Sequence, residues 1–457
     1  MSKRLILILA LAFVVGITFT AYAEVQNVKV SGDLTVYGID RNLGLYGPKN
    51  NSDKSSIATI TRVRVDADLT DNVMTTVRLL NERYWGSETE HSNTTSDNTT
   101  INLDLAYVTL KEFLYSPLSL TVGRQELHFG KDMIVGDYDT NNAVSTASAF
   151  TGRDPDLSAR KAFDAIRATL NYDPLVVDMV MAKVTTNTTQ SVGNDDTNLF
   201  GINASYALDK NTTLEAYWFE KNKGKKALGS TGIKKSDRVD TIGVRAANTS
   251  IENLVLNGEI AYQFGKYAAD TTTASSGSAN RKAWALETAA TYNMPKVKYT
   301  PSATAMYAYF SGDHENNAYY TTSGTYRGWD PMYENQTFGN IVNALFNQTN
   351  MHILGGIATA KPMEDVILKG EYYAYWWAKA YPDGTTFTPV GGSARNMAQR
   401  KSIGQEVDLT ATYDYTEDVQ FALMGGWFIP GASFDKETST VKTKVASEII
   451  GSMKVTF

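Results

Sequence analysis

The groups that could do covalent chemistry in this chain are few and scattered. There are 4 histidines and no cysteine. His91, His128, His314 and His352 have no nucleophile or base at a recognisable spacing, so catalysis is not expected. Without cysteine there is no thiol nucleophile, no thiolate metal site and no disulfide framework. Asp137-Tyr138-Asp139-Thr140-Asn141 opens like a calcium loop, with oxygen ligands at alternate positions. A full loop of that kind would carry glutamate where Ser148 stands, so a solvated loop with no metal and no cofactor is the expected reading. Lys221, Lys223, Lys225, Lys226, Lys234 and Lys235 form a basic run in what reads as one exposed loop. Such a run can meet lipopolysaccharide phosphates but is expected to be a solvated face.

The chemistry that does recur is ionic and comes every second residue. Residues 61–80 read TRVRVDADLTDNVMTTVRLL, with Arg62, Arg64, Asp66 and Asp68 alternating with Val63, Val65, Ala67 and Leu69. Side chains on a strand alternate between faces, so one face is oily and the other ionised. A soluble sandwich would turn the oily face inward, whereas a membrane barrel turns it to lipid and the charges to a wet lumen. Ends and repetition decide between them.

The start, MSKRLILILALAFVVGITFTAYAE, has a basic head, a short apolar run and Ala21-Tyr22-Ala23. It reads as a secretory signal peptide over 1–23, leaving a barrel over 24–457 that begins at Glu24. Acidic residues outnumber basic ones by 49 to 43, and loss of Lys3 and Arg4 widens the gap, so no attraction to nucleic acid is expected. No later apolar segment is long enough for a spanning helix. A chain of this kind crosses a membrane only as a closed barrel, which satisfies every backbone group in lipid.

Alternating segments fall at 28–46, 55–70, 72–86, 99–112, 117–129, 161–172, 175–187, 197–208, 212–223, 237–249, 252–266, 281–293, 297–311, 348–361, 364–379, 400–414, 417–430 and 442–457. That makes about 18 strands of an all-β, antiparallel, single-chain barrel, an even number as such barrels require. Their connections alternate between tight turns, such as Leu69-Thr70-Asp71-Asn72, and long polar loops at 87–98, 130–160, 224–236, 267–280, 312–347 and 380–399. Short periplasmic turns and long extracellular loops are the barrel pattern. The last strand places Met453, Val455 and Phe457 on one face. Its terminal aromatic looks like the signal that barrels present to their assembly machinery.

The less oily face of each strand gives the expected pore lining. Its bases are Arg62, Arg64, Arg78, Arg167, Arg245 and Lys369; its acids are Asp66, Asp68, Asp104, Glu215, Glu259, Glu287, Glu371, Glu406, Asp408 and Glu448. Strand order sets the arginines of the second and third strands across from the carboxylates of the eleventh and twelfth, so an arginine wall, with Arg167 on the sixth strand, is expected to oppose a carboxylate wall. The loop at 130–160, with Asp137, Asp139, Arg153 and Arg160, is the candidate constriction, and an outward surface loop is its alternative.

Several stretches resemble the alginate export porin family of Gram-negative outer membranes: VGRQELHFGKDMIVGDYD at 122–139, ARKAFDAIRATL at 159–170, GWDPMYENQTFGN at 328–340, LKGEYYAYWWAKA at 368–380 and IGQEVDLTATYDY at 403–415. They are spread over nearly the whole mature chain. The resemblance implies an eighteen-stranded outer-membrane barrel and, for the exporter that names the family, an arginine-rich lumen passing a polyanionic polysaccharide. This lumen departs from that pattern, because its assigned carboxylates outnumber its cations. The expectation is therefore a porin-like channel for diffusion or export of small polar solutes or saccharides, surrounded by lipid and lipopolysaccharide. The alternatives are a non-conducting surface barrel, such as an adhesin, and an exporter of an anionic polysaccharide such as alginate.

Overall fold

The alternating segments close on themselves. In a computed structural model of the chain, 18 antiparallel strands make one closed barrel. The structure describes residues 26–457 except 46–52, 87–100, 141–153, 187–195, 225, 229–231, 235, 269–277, 314–323, 388–394 and 435–442. The signal segment 1–23, Glu24, His91, Asn141, Ser148, Arg153, Lys225, Lys235 and His314 lie outside the described residues.

The strands are β1 (Asn27–Asn42), β2 (Asp53–Thr70), β3 (Val73–Tyr84), β4 (Asn102–Leu110), β5 (Leu118–Glu126), β6 (Ala162–Asn171), β7 (Leu175–Thr185), β8 (Thr197–Asp209) and β9 (Thr212–Lys223). They continue as β10 (Asp237–Asn248), β11 (Leu254–Tyr267), β12 (Ala279–Asn293), β13 (Ser302–Phe310), β14 (Met351–Met363), β15 (Val366–Trp377), β16 (Ser402–Asp414), β17 (Val419–Pro430) and β18 (Ala446–Thr456). Each pairs with the next, and β18 pairs back onto β1 from Asp33↔Thr456 to Asn42↔Ser447. Closure leaves no open edge in lipid.

At one end the connections are short, as from Thr70 to Val73, Asp209 to Thr212 and Met363 to Val366; at the other they are long. No helix among the described residues is long and apolar enough to cross a membrane. The outward set, including Val63, Val65, Val77 and Leu79, is exposed and apolar, as a lipid-facing surface must be.

Two expectations need correction here. The segment 297–301 is not strand: Val297 donates to Met294 O at 3.1 Å, Thr300 donates to Val297 O at 2.9 Å, and Tyr299 and Thr300 have φ of 68° and 40°. Left-handed residues between Pro295 and Pro301 make this turn longer than its alternation suggests. Lys221 and Lys223 lie at the end of β9, within the alternating segment 212–223, so the basic run is not confined to one exposed loop.

The inner face changes character along the barrel axis. Near the short turns it is ionic, but toward the long loops it becomes as oily as the outer face. In β3, Leu79 is 41% exposed and its neighbour Leu80 only 1%; in β2, Ile57 is 43% exposed and Ile60 only 3%. Apolar side chains on both faces of a strand mean that something inside covers the inner one.

Candidate functional site

The described parts of two long connections, 127–140 with 154–161 and 311–313 with 324–350, fold into the lumen and fill its long-loop half. Leu127, Phe129, Met133, Ile134 and Val135 of the first are buried with Trp329, Met332, Tyr333, Phe338 and Phe346 of the second. Around them close the inward side chains Phe163, Phe219, Phe310, Tyr373, Tyr375 and Phe428 of the wall. The two connections are joined by main-chain bonds. Val135 and Tyr333 form a parallel bridge; Gly136 N and Asp137 N donate to Tyr333 O at 2.7 and 3.0 Å, Tyr333 N to Ile134 O at 3.0 Å, and Asn335 N to Asp132 O at 3.0 Å. Backbone groups inside a dry lumen need such partners. The described residues of the expected constriction at 130–160 therefore form half of a two-part plug, and those of 312–347 supply the other half.

Polar anchors hold the plug to the wall on three sides. On β1 and β18, buried Arg41 meets Asp154 at 2.9 Å, Asp156 at 2.7 Å and Glu448 at 2.7 Å. Beside it Glu82 accepts from Ala159 N at 2.6 Å, and Tyr84 donates to Asp154 at 2.5 Å. On β9 to β12, Lys221 pairs with Asp330, Gln263 exchanges two hydrogen bonds with the Asp330 backbone at 2.7 and 2.9 Å, and Arg281, held by Asp237 of the wall at 3.0 Å, lies 3.9 Å from Asp330. Burial pushes the Asp330 carboxyl up, but Lys221 and Arg281 outweigh it and hold the group below its ordinary value. On β16, Glu406 accepts from Ile341 N at 2.7 Å and Val342 N at 2.9 Å, and Asp408 from Asn340 N at 3.1 Å. These are the first amides of α1 (Asn340–Leu345), which have no partner within the helix.

Below the plug the wall is a ladder of ion pairs. Arg62 bonds Asp33 at 2.8 Å, Arg64 bonds Asp66 at 2.7 Å, and Arg78 bonds Asp104 at 2.5 Å and also Glu126. Arg167 bonds Asp178 at 2.8 Å, Arg245 bonds Glu215, and Lys369 bonds Glu371 at 2.6 Å. Glu259 accepts from Tyr217 at 2.7 Å and Glu287 from Gln336 of the plug at 2.8 Å. Asp68 is half-buried near the short-turn end.

This arrangement revises the expected arginine wall facing a carboxylate wall. Each of the six expected cations has a carboxylate on its own or an adjacent strand, because long side chains reach about one strand spacing more easily than they span a lumen. The carboxylates of β16 are engaged by plug amides instead. Of the loop candidates, Asp137 is buried against Lys161, Asp139 N donates to Asp137 at 3.0 Å, and Arg160 lies over the Tyr138 ring at 5.5 Å. Burial pushes the Asp137 carboxyl up to about 6, with Lys161 opposing the rise. Lys131, beside Arg245, Glu259 and Glu287, is lowered, first by burial.

Sequence reasoning missed Arg41, Arg281 and Gln263 and assigned Lys221 to a solvated face, because their partners are far away in the chain. It also missed a partner for His128, whose Nδ1 lies 3.0 Å from Asp132. That contact raises the His128 pKa but brings no nucleophile with it. Among the described residues no cluster of three or more histidines and carboxylates could hold a metal.

A closed barrel with short turns at one end, long loops at the other and an inward-folded constriction defines a porin-like outer-membrane protein. The chain belongs to the alginate export family, whose pattern it matches over residues 40–447. No curated protein matches it. Among solved structures it is similar to the outer membrane protein OpdK of Pseudomonas aeruginosa, with a TM-score of 0.53 and 9% identity over 95% of this chain and 100% of that one. It is likewise similar to OccK8 (OprE) of Pseudomonas aeruginosa, with a TM-score of 0.54 and 10% identity over 95% of this chain and 99% of that one. At such identity the likeness is one of fold. Barrels of this family and fold are typically non-enzymatic channels.

Proposed function

We propose that this protein is a channel of a Gram-negative outer membrane for small polar solutes or saccharides. It would be delivered by a cleaved signal peptide over 1–23 and assembled through Phe457 into lipid and lipopolysaccharide. The observation that carries this reading is the ladder of paired charges beneath the plug. A guanidinium beside its carboxylate offers hydrogen-bond donors and acceptors with little net field, which suits neutral polar solutes.

Family membership favours a second reading, export of an anionic polysaccharide such as alginate, and the packed plug favours a third, a non-conducting surface barrel. Planar-bilayer recording separates the three. The channel reading expects stepwise conductance with a reversal potential near zero in a salt gradient, and a shift toward cations in the Arg62→Ala, Arg64→Ala double variant. Strong anion selectivity in the wild type would favour the exporter. Absence of conductance in a folded, reconstituted barrel would leave the surface-barrel reading.

A further inference from the structure

The expected pore lining is a full ring, but the plug does not leave the ring evenly open. On β9 to β11 the plug descends far toward the short turns. Gly130, at φ 62°, lies so close to the wall that a Cβ there would be 3.3 Å from Arg245 Cδ and 3.5 Å from Glu215 Oε2. The side chains of Arg245 and Glu215 keep only 12% and 9% exposure. Glu406 and Asp408 on β16 keep none. From β2 to β6 the wall is more open: Arg62, Arg64 and Arg167 are 24%, 36% and 30% exposed and Asp66 is 28% exposed, while Lys369 on β15 is exposed at the short-turn rim. The ionic partners of Arg62 and Arg64 belong to β1 and to β2 itself. Thr76 of β3, itself buried, steadies Asp66 from behind by donating to it at 2.6 Å.

We infer that solute meets a one-sided polar surface on β1 to β6, centred on Asp33, Arg62, Arg64 and Asp66 and continued by Arg167, rather than a symmetric ring. The inference rests on the channel reading and names the surface and ligand class within it. Two adjacent guanidinium–carboxylate pairs present donors and acceptors at neighbouring positions, with formal charges that cancel. That chemistry recognises a polyhydroxylated neutral molecule, whose vicinal hydroxyls both give and accept hydrogen bonds. A carboxylated sugar would add a charge that finds no net cation there, because Asp33 and Asp66 already engage the two guanidiniums.

The cysteine-free chain allows a direct test. Single variants Arg64→Cys on the open arc and Ala308→Cys beneath the plug are reconstituted and treated with a cationic methanethiosulfonate. Labelling is read by mass and by current. Ala308 is fully buried and the change is small, so that variant should fold. Arg64→Cys should label at least ten times faster and lose conductance on labelling. Glucose should slow the reaction, and galacturonate should slow it no more than glucose does. Equal labelling of the two sites, or none at Arg64→Cys, overturns the one-sided surface; protection by galacturonate alone overturns the ligand class. Because mass reports labelling without current, a barrel that labels as expected yet never conducts would count against the channel and not against the open arc.

Discussion

Arg41 ties one end of the plug to the wall through three carboxylates, with almost no water at hand. Removing the cation leaves those carboxylates buried and uncompensated, so Arg41→Met should destabilise the folded barrel by about 3–5 kcal/mol in urea unfolding from lipid vesicles. Asp137 acts in a different sense. Its pKa in the folded protein, about 6, lies above the ordinary carboxylate value of 3.8. The docked loop therefore binds a proton more tightly than the undocked one. The resulting stabilisation is full below about pH 4 and is lost as pH rises through about 6. His128, raised by its hydrogen bond to Asp132, works in the same direction. Protection of the Gly136 amide against hydrogen exchange, corrected for intrinsic rate, should be greater at pH 5 than at pH 7. Asp137→Asn should flatten most of that difference and leave the part due to His128.

At the scale of elements, the strands divide into a lipid face and a lumen face, and substitutions should respect the division. Val63→Arg places a charge in lipid and should cost about 2–4 kcal/mol near the bilayer midplane, whereas Arg64→Val should leave the barrel folded, as heat-modifiable migration on gels would report. The helix α1 has its own sensitive point. Gly339 precedes it at φ 83°, and a Cβ there would collide with Tyr375 Oη and the Glu406 carboxylate. Gly339→Ala should unseat the helix from β16 and raise open-channel conductance while the barrel still forms. These faces and strand positions are legible in the sequence because a period of two is a local property. The plug is not legible in that way. Arg41 to Glu448 and Lys221 to Asp330 join residues far apart in the chain, and polar loops that turn inward have the same composition as loops that turn outward. Leu80 and Ile60 carried a usable signal, since apolar residues beside outward Leu79 and Ile57 mark an inner face that must be covered.

At the scale of the molecule, one seam completes everything else. Gly32 and Phe457 exchange backbone hydrogen bonds at 2.8 and 3.0 Å, and the pairing runs from there up β1 and β18. Those two strands lie at opposite ends of the chain, so the seam cannot form until the last strand has been made. During that interval the first strand offers a row of unpaired donors and acceptors to any passing extended segment. Closing so long a loop is also entropically slow. The barrel is thus vulnerable in time rather than in space: its finished form has no edge, but its synthesis keeps one open from the first strand to the eighteenth. A partner that held the first strand until Phe457 arrived would shorten that exposure.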